Sequence, residues 1–248
     1  MKKIEKVLFC LLAGFAVTLA AKEEILFQSD FIHDKTLRGW ADMGNASPPN
    51  VYDENSSPKN KEHYQVVTED GHTFLKTANV YFGISHKLSR PLTVDDSLRK
   101  LTVSVTLFKE KKYMGSPPMI VLSSRKTVVW NSGQAFEPEK DSGIYMLCYG
   151  ANSQLHNYIG YRVNGQEVIR SSPPCAPYAM LPDHDRWVTV TLVYDNVKKQ
   201  LLFYNSKSPS VPLAKLYNVK MEGVAFNSIW LPAWAARYEN IRVTADMK

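Results

Sequence analysis

Glu137-Pro138-Glu139-Lys140-Asp141 is the segment whose spacing comes nearest to glycoside chemistry. Retaining hydrolysis of a glycosidic bond uses an acid and a nucleophile, two carboxyl groups roughly 5–5.5 Å apart. A β-strand can supply such a pair by alternation, because residues i and i+2 share a face. Here Pro138 would interrupt the ladder and no apolar residues alternate with the acids, so the segment reads as a loop. Asp183-His184-Asp185 could hold a hard cation through its oxygens or support His184 as a base. Lying between Pro182 and the Trp187 strand, it reads as a solvated turn. His33 beside Asp34 and His63 beside Tyr64 are isolated, and the six histidines show no metal-ligand spacing. The sequence has no G-x-S-x-G elbow and no glycine-rich phosphate loop, and Cys148 has no evident base partner.

Aromatic residues are the better lead. Sugars present apolar C–H faces that stack on rings, while their hydroxyls seek amides and charged side chains. Tyr145, Tyr149, Asn157, Tyr158, Arg162, Trp230 and Trp234 form the candidate carbohydrate-binding set, with Asn152, Gln154 and His156 close by. Tyr145 and Tyr149 share strand parity, and Trp230 and Trp234 flank Leu231-Pro232-Ala233. Trp130, before Asn131-Ser132-Gly133, suits a loop tip, whereas Trp40 and Trp187 are expected in the core, where aromatics dominate sandwich packing.

These residues must be positioned by strands. Leu101, Val103, Val105 and Leu107 alternate with Thr102, Ser104 and Thr106, the pattern of a half-buried strand. Trp187–Tyr194 and Gln200–Tyr204 follow the same rule around Asp195-Asn196-Val197-Lys198-Lys199, a hairpin turn, and Ile241–Thr244 closes the chain. Further strands are expected over Ile25–Asp30, Tyr64–Val67, Thr73–Thr77, Tyr81–Lys87, Met119–Ser123, Gly143–Tyr149, Tyr158–Val163 and Ser228–Leu231. Glu69-Asp70-Gly71, Ser116-Pro117-Pro118, Val163-Asn164-Gly165 and Ser172-Pro173-Pro174 punctuate them. No long segment carries a helical stripe; a short turn of helix is expected near Asp95–Leu98. The fold class is therefore all-β, a two-sheet antiparallel jelly-roll β-sandwich with little helix. Residues 45–62, polar and carrying three prolines, read as a loop insertion.

The chain opens Met1-Lys2-Lys3-Ile4-Glu5-Lys6, followed by an apolar run from Val7 to Ala21. A basic stub, a short apolar core and small residues at the exit make a secretory signal. Thr18 and Ala20 suit the −3 and −1 positions, giving residues 1–20 as signal peptide and 21–248 as one domain. The run is shorter than the roughly 18–20 residues that cross a bilayer, so no membrane association is expected after cleavage. Removing residues 1–20 takes away three lysines and one glutamate, and the formal +6 becomes +4. That charge has no dense cluster, which argues against nucleic acid, and a secreted or periplasmic location is expected. Export would permit a disulfide between Cys148 and Cys175; spacing alone leaves bridge and free thiols open.

Several short strings occur in a characteristic order. Leu26-Phe27-Gln28-Ser29-Asp30-Phe31 and Leu37-Arg38-Gly39-Trp40 stand early. Asp185-Arg186-Trp187-Val188-Thr189-Val190, Leu201-Leu202-Phe203-Tyr204-Asn205 and Tyr238-Glu239-Asn240-Ile241-Arg242-Val243 stand late. This order resembles the concanavalin A-like lectin/glucanase superfamily, especially its laminin G-like and bacterial keto-glycoside hydrolase-like secreted members. The resemblance covers the mature chain in layout and these strings in detail. It implies two curved antiparallel sheets, a last strand pairing near the start, and a poly- or oligosaccharide as partner. It also implies a possible structural calcium, drawing on Asp30 or Asp246. The alternating acids of the superfamily's retaining glucanases have no position-by-position match here, so no catalytic residue is carried over. A lectin-like carbohydrate binder without catalysis is the leading expectation. A glycoside hydrolase or polysaccharide lyase is the alternative, and a structural or adhesion sandwich that binds protein is the third.

Overall fold

A computed structural model describes residues 22–33, 35–42, 50–51, 63–78, 83–110, 119–128, 141–147, 158–170, 185–232 and 235–248. In chain order the strands are β1 (Lys22–Ser29), β2 (Trp40–Asp42), β3 (Asn50–Val51), β4 (Tyr64–Glu69), β5 (His72–Thr77) and β6 (Gly83–Thr93). Next come β7 (Leu98–Lys109), β8 (Met119–Ser123), β9 (Thr127–Val128), β10 (Gly143–Leu147), β11 (Tyr158–Val163) and β12 (Gln166–Arg170). The chain finishes with β13 (Trp187–Asp195), β14 (Gln200–Asn205), β15 (Ala214–Leu216), β16 (Ala225–Pro232) and β17 (Ala236–Met247). No helix is found among the described residues, and Asp95–Ser97 is a turn in which the Asp95 carboxylate accepts the Ser97 N–H at 2.8 Å.

Two antiparallel sheets make the sandwich. The eight-stranded sheet runs β15-β14-β13-β7-β17-β5-β4, with β1 also on β17. The seven-stranded sheet runs β12-β11-β10-β8-β16-β6-β2, and β3 pairs with β9 apart from both. The last strand does pair with the first: Ser29 lies opposite Ile241 and Lys22 opposite Met247. Hairpins form at two of the expected turn signals. Asp70 and Gly71 have φ of 52° and 80° between β4 and β5, and Asn164 and Gly165 have 51° and 78° between β11 and β12, as the mirror-image hairpin turns require.

Alternation fixes the core. Leu101, Val103, Val105 and Leu107 on β7 and Val188, Val190, Leu192 and Tyr194 on β13 face Ile120 and Leu122 on β8, Ile144 and Met146 on β10, and Ile229 and Leu231 on β16. All are at most 3% exposed. One buried cluster joins both sheets, as a single sandwich core demands. Lys109 ends β7 on this inner side at 3% exposure, its Nζ donating to the Ala235 carbonyl at 3.1 Å. Burial pushes this amine down to about 7, against a smaller opposing pull from Glu110.

Candidate functional site

The residues between the core positions of β7, β13, β14 and β17 point to the opposite side of the eight-stranded sheet. Antiparallel register arranges them in cross-strand rows. Trp187 lies opposite Phe108, which lies opposite Arg237. One level on, Thr189 is opposite Thr106; next come Tyr204, Thr191, Ser104 and Arg242 in line. The following level holds Leu202, Val193, Thr102 and Thr244, and the last holds Gln200, Asp195, Lys100 and Asp246. The face thus grades from aromatic, through hydroxyl-bearing, to charged.

The aromatic end is tightly organised. Trp187 is half-buried, stacked on His72 at 4.9 Å and 25°, and edged by Phe74 at 5.4 Å and Phe108 at 5.5 Å. The Arg237 guanidinium sits over Phe74 and Phe108, 5.1 and 4.9 Å from their centroids. It donates to Glu69 and to Glu110, each at 3.0 Å. His72 Nδ1 bonds Glu239 Oε1 at 2.9 Å. Cation–π stacking and ion pairs to two separate carboxylates hold Arg237 in place, which in turn fixes the rings beside it. Trp187 therefore lies outside the core, contrary to expectation. The signal was legible: Trp187 shares parity with Thr189 and Thr191, while Val188, Val190, Leu192 and Tyr194 fill the interior.

Beyond it the hydroxyls pair across strands, Thr106 with Thr189 at 2.8 Å and Ser104 with Thr191 at 3.3 Å. They lead into an open groove of about 790 Å³ whose floor includes Thr102, Thr189, Thr191, Leu202, Tyr204 and Thr244. Asn205–Ser210 forms one wall, where the Asn205 side chain accepts the N–H groups of Lys207 at 3.0 Å and Ser208 at 3.1 Å. Rings, hydroxyls and amides on a rigid sheet are the equipment for binding a polyhydroxylated ligand.

Of the candidate residues chosen from sequence, Tyr145, Tyr158, Arg162 and Trp230 fall on the other sheet. Trp230 and Tyr145 flank Val121 in register, on the face away from the core, and are 0% and 2% exposed. Neither ring offers a face to solvent. Trp230 Nε1 donates to Ser228 Oγ at 2.8 Å, and the Arg125 guanidinium lies 5.6 Å from its ring centroid. Arg125 is itself paired with Asp141 at 2.9 Å, both nearly buried. The Tyr145 ring runs over Gly160, where a Cβ would stand 2.3 Å from the Tyr145 hydroxyl. Arg162 is half-buried on β11, and Tyr158 begins that strand. Tyr149, Asn157, Trp234, Cys148 and Cys175 lie outside the described residues, as do residues 1–20 and, apart from β3, residues 45–62.

A smaller cavity of about 360 Å³ lies at the edge between β1 and β2, lined by residues that include Asp30, His33, Arg38, Trp40 and His86. Phe31 and Leu37 hold φ of 60° and 55° beside it. Gly39 is required there, since a Cβ would sit 2.6 Å from His86 Nε2. Trp40, as expected, is core at 2% exposure, and Phe31 is at 1%. The Asp30 carboxylate accepts the Ile32 N–H at 3.0 Å and bonds the His33 ring at 3.2 Å. Burial would raise the Asp30 carboxyl, but these bonds prevail and hold it below its ordinary value. Asp30 is thus spent on its own turn, and Asp246 lies opposite Lys100. Among the described residues no group of three or more His, Cys, Asp or Glu could hold a metal ion.

No protein-family model matches the sequence, and no curated protein matches it. Solved structures do share the fold. A peanut lectin solved with a nine-residue peptide superposes with a TM-score of 0.55 at 12% identity, covering 92% of this chain and 99% of the lectin. A Bacillus subtilis protein of unknown function with a galectin-like fold gives 0.52 at 12% identity, covering 92% and 100%. A basic winged bean lectin solved with Tn-antigen gives 0.52 at 11% identity, covering 75% and 90%. This chain therefore shares the β-sandwich fold of these lectins and of the galectin-like protein.

Proposed function

We propose that this chain is an exported, lectin-like protein that binds carbohydrate without cleaving it, on the outer face of the eight-stranded sheet. The observation that carries the reading is the half-buried Trp187, held by His72, Phe74 and Phe108 on the same strand face as Thr189 and Thr191, which line a hydroxyl-bearing groove. Trp187 supplies a stacking surface, and the Thr and Asn side chains beyond it supply donors and acceptors for sugar hydroxyls. Glu69, Glu110 and Glu239, the carboxylates bonded at the aromatic end, are committed to Arg237 and His72. Their role is to position the platform, which supports binding over hydrolysis. The fold neighbour solved with Tn-antigen is in keeping with a sugar ligand. Residues 1–20 act as the export signal, placing the mature chain in the periplasm or outside the cell.

A glycan array with the purified exported chain, run with and without EDTA and followed by product analysis, tests this. Retention of intact glycan is expected. Cleaved product would move the protein to the hydrolases and lyases, and a blank array would remove the carbohydrate reading.

A further inference from the structure

We infer that the ligand of this face is an extended, uncharged glycan chain lying along β13 and held over several sugar units. The inference rests on the carbohydrate reading above and concerns the same face. Its first support is shape. Trp187, Thr189, Thr191 and Val193 are successive outward residues of one strand, six residue steps end to end. At about 3.4 Å per step this is a track of about 20 Å. Its floor is built from β14, β13, β7 and β17, which at about 4.8 Å between strands is about 14 Å wide. A track longer than it is wide matches a polymer in an extended conformation, whereas a single terminal sugar would cover only one end.

The second support is the distribution of rings. Trp187 stands at one end, and Tyr204 is opposite Thr191, four residues further along. Both are half-buried on the outward face, and paired hydroxyls occupy the interval. A chain can use both rings at once; a monosaccharide must choose one.

The third support is charge. At the aromatic end Arg237 is ion-paired with Glu69 and Glu110 and Lys76 with Glu69, and in the Tyr204 row Arg242 is paired with Glu23. At the far end Lys100 and Lys198 line the groove together with Glu23, Asp195 and Asp246. Signs are mixed over the whole track, so it builds no field that would gather a polyanion. Neutral chains are the class that fits.

Calorimetry with neutral oligosaccharides of one to six units, in β-1,4-gluco, β-1,3-gluco and β-1,4-manno linkage, tests the inference, with oligogalacturonate of matched length as the charged control. In at least one neutral series, affinity should rise tenfold or more between the disaccharide and the hexasaccharide. Tyr204→Ala should weaken the hexasaccharide at least fivefold and leave the disaccharide within twofold. Affinity flat with length, tighter binding of oligogalacturonate, or no neutral series binding would overturn the inference. If the array still returned a glycan, the carbohydrate reading would survive that failure. A dimer by light scattering that dissociates on Thr191→Lys would put a second copy on the track, and would also overturn it.

Discussion

The rings of His72 and Trp187 stack 4.9 Å apart although β5 and β13 are separated in the sheet by β17 and β7. Phe74 and Phe108 also meet the indole, at 5.4 and 5.5 Å. Contact with three rings holds the tryptophan in place, as a stacking surface for a ligand requires. Removing it should cost binding and little stability. Trp187→Ala is expected to lose about 2 kcal/mol or more, as central aromatic anchors do, which is roughly thirtyfold in Kd. Unchanged glycan affinity in a folded Trp187→Ala protein would show that the ring is not the anchor.

On the opposite sheet the buried ion pair makes a separate prediction. Arg125 and Asp141 meet at 2.9 Å with side chains 7% and 8% exposed. Asp141→Asn would leave the guanidinium buried without its counter-charge, a loss of about 3–5 kcal/mol. Urea unfolding followed by tryptophan fluorescence reads it directly. A loss under about 1 kcal/mol, the range of an exposed pair, would show that water reaches the site.

Gly160 is expected to be irreplaceable for a local reason. A Cβ there would stand 2.3 Å from the Tyr145 hydroxyl and 2.5 Å from its ring carbon. Gly160→Ala should destabilise by about 1–3 kcal/mol through overpacking. In the Tyr145→Ala background the same change should cost clearly less, because the clashing atoms are gone. Equal costs in both backgrounds would place the strain elsewhere.

Lys109 gives a pH dependence with a definite sign. Its amine is lowered to about 7 in the folded state from an ordinary 10.5. Between those values the unfolded chain binds the proton that the folded chain has released, so stability rises with pH. The limiting slope is about 1.4 kcal/mol per pH unit. Below about 7 both states are protonated and the penalty of the buried charge is present in full. Lys109→Met should flatten the rise between pH 7.5 and 9; a slope that persists in this variant would assign it to another group.

Strand positions were legible because alternation reports a half-buried sheet directly. Leu101–Leu107, Met119–Ser123 and Tyr158–Val163 lie within or coincide with observed strands. The strands that escaped notice are short or polar: Trp40–Asp42 at a sheet edge, Gln166–Arg170 after a tight turn, Ala214–Leu216, and the two-residue pair Asn50–Val51 and Thr127–Val128, the first of them inside the segment read as a loop. The site was harder. Parity says which residues share a face, but not whether that face is open. Tyr145 and Trp230 share a face with polar neighbours as a sugar site would, yet they are closed from solvent. Trp187 looked like core because tryptophan usually is, although its own strand placed it with threonines. The partners that hold it, His72 and Arg237, come from β5 and β17, far away in sequence, and only the sheet order brings them together.

The tryptophan indole N–H signals, followed by NMR while an oligosaccharide that binds is titrated into residues 21–248, distinguish the two sheets. Trp187→Phe, Trp230→Phe and Trp40→Phe variants would assign the three resonances. The Trp187 indole is expected to shift progressively with ligand while those of Trp230 and Trp40 stay in place. A shift at Trp230 with Trp187 unmoved would contradict that expectation and put the glycan on the seven-stranded sheet.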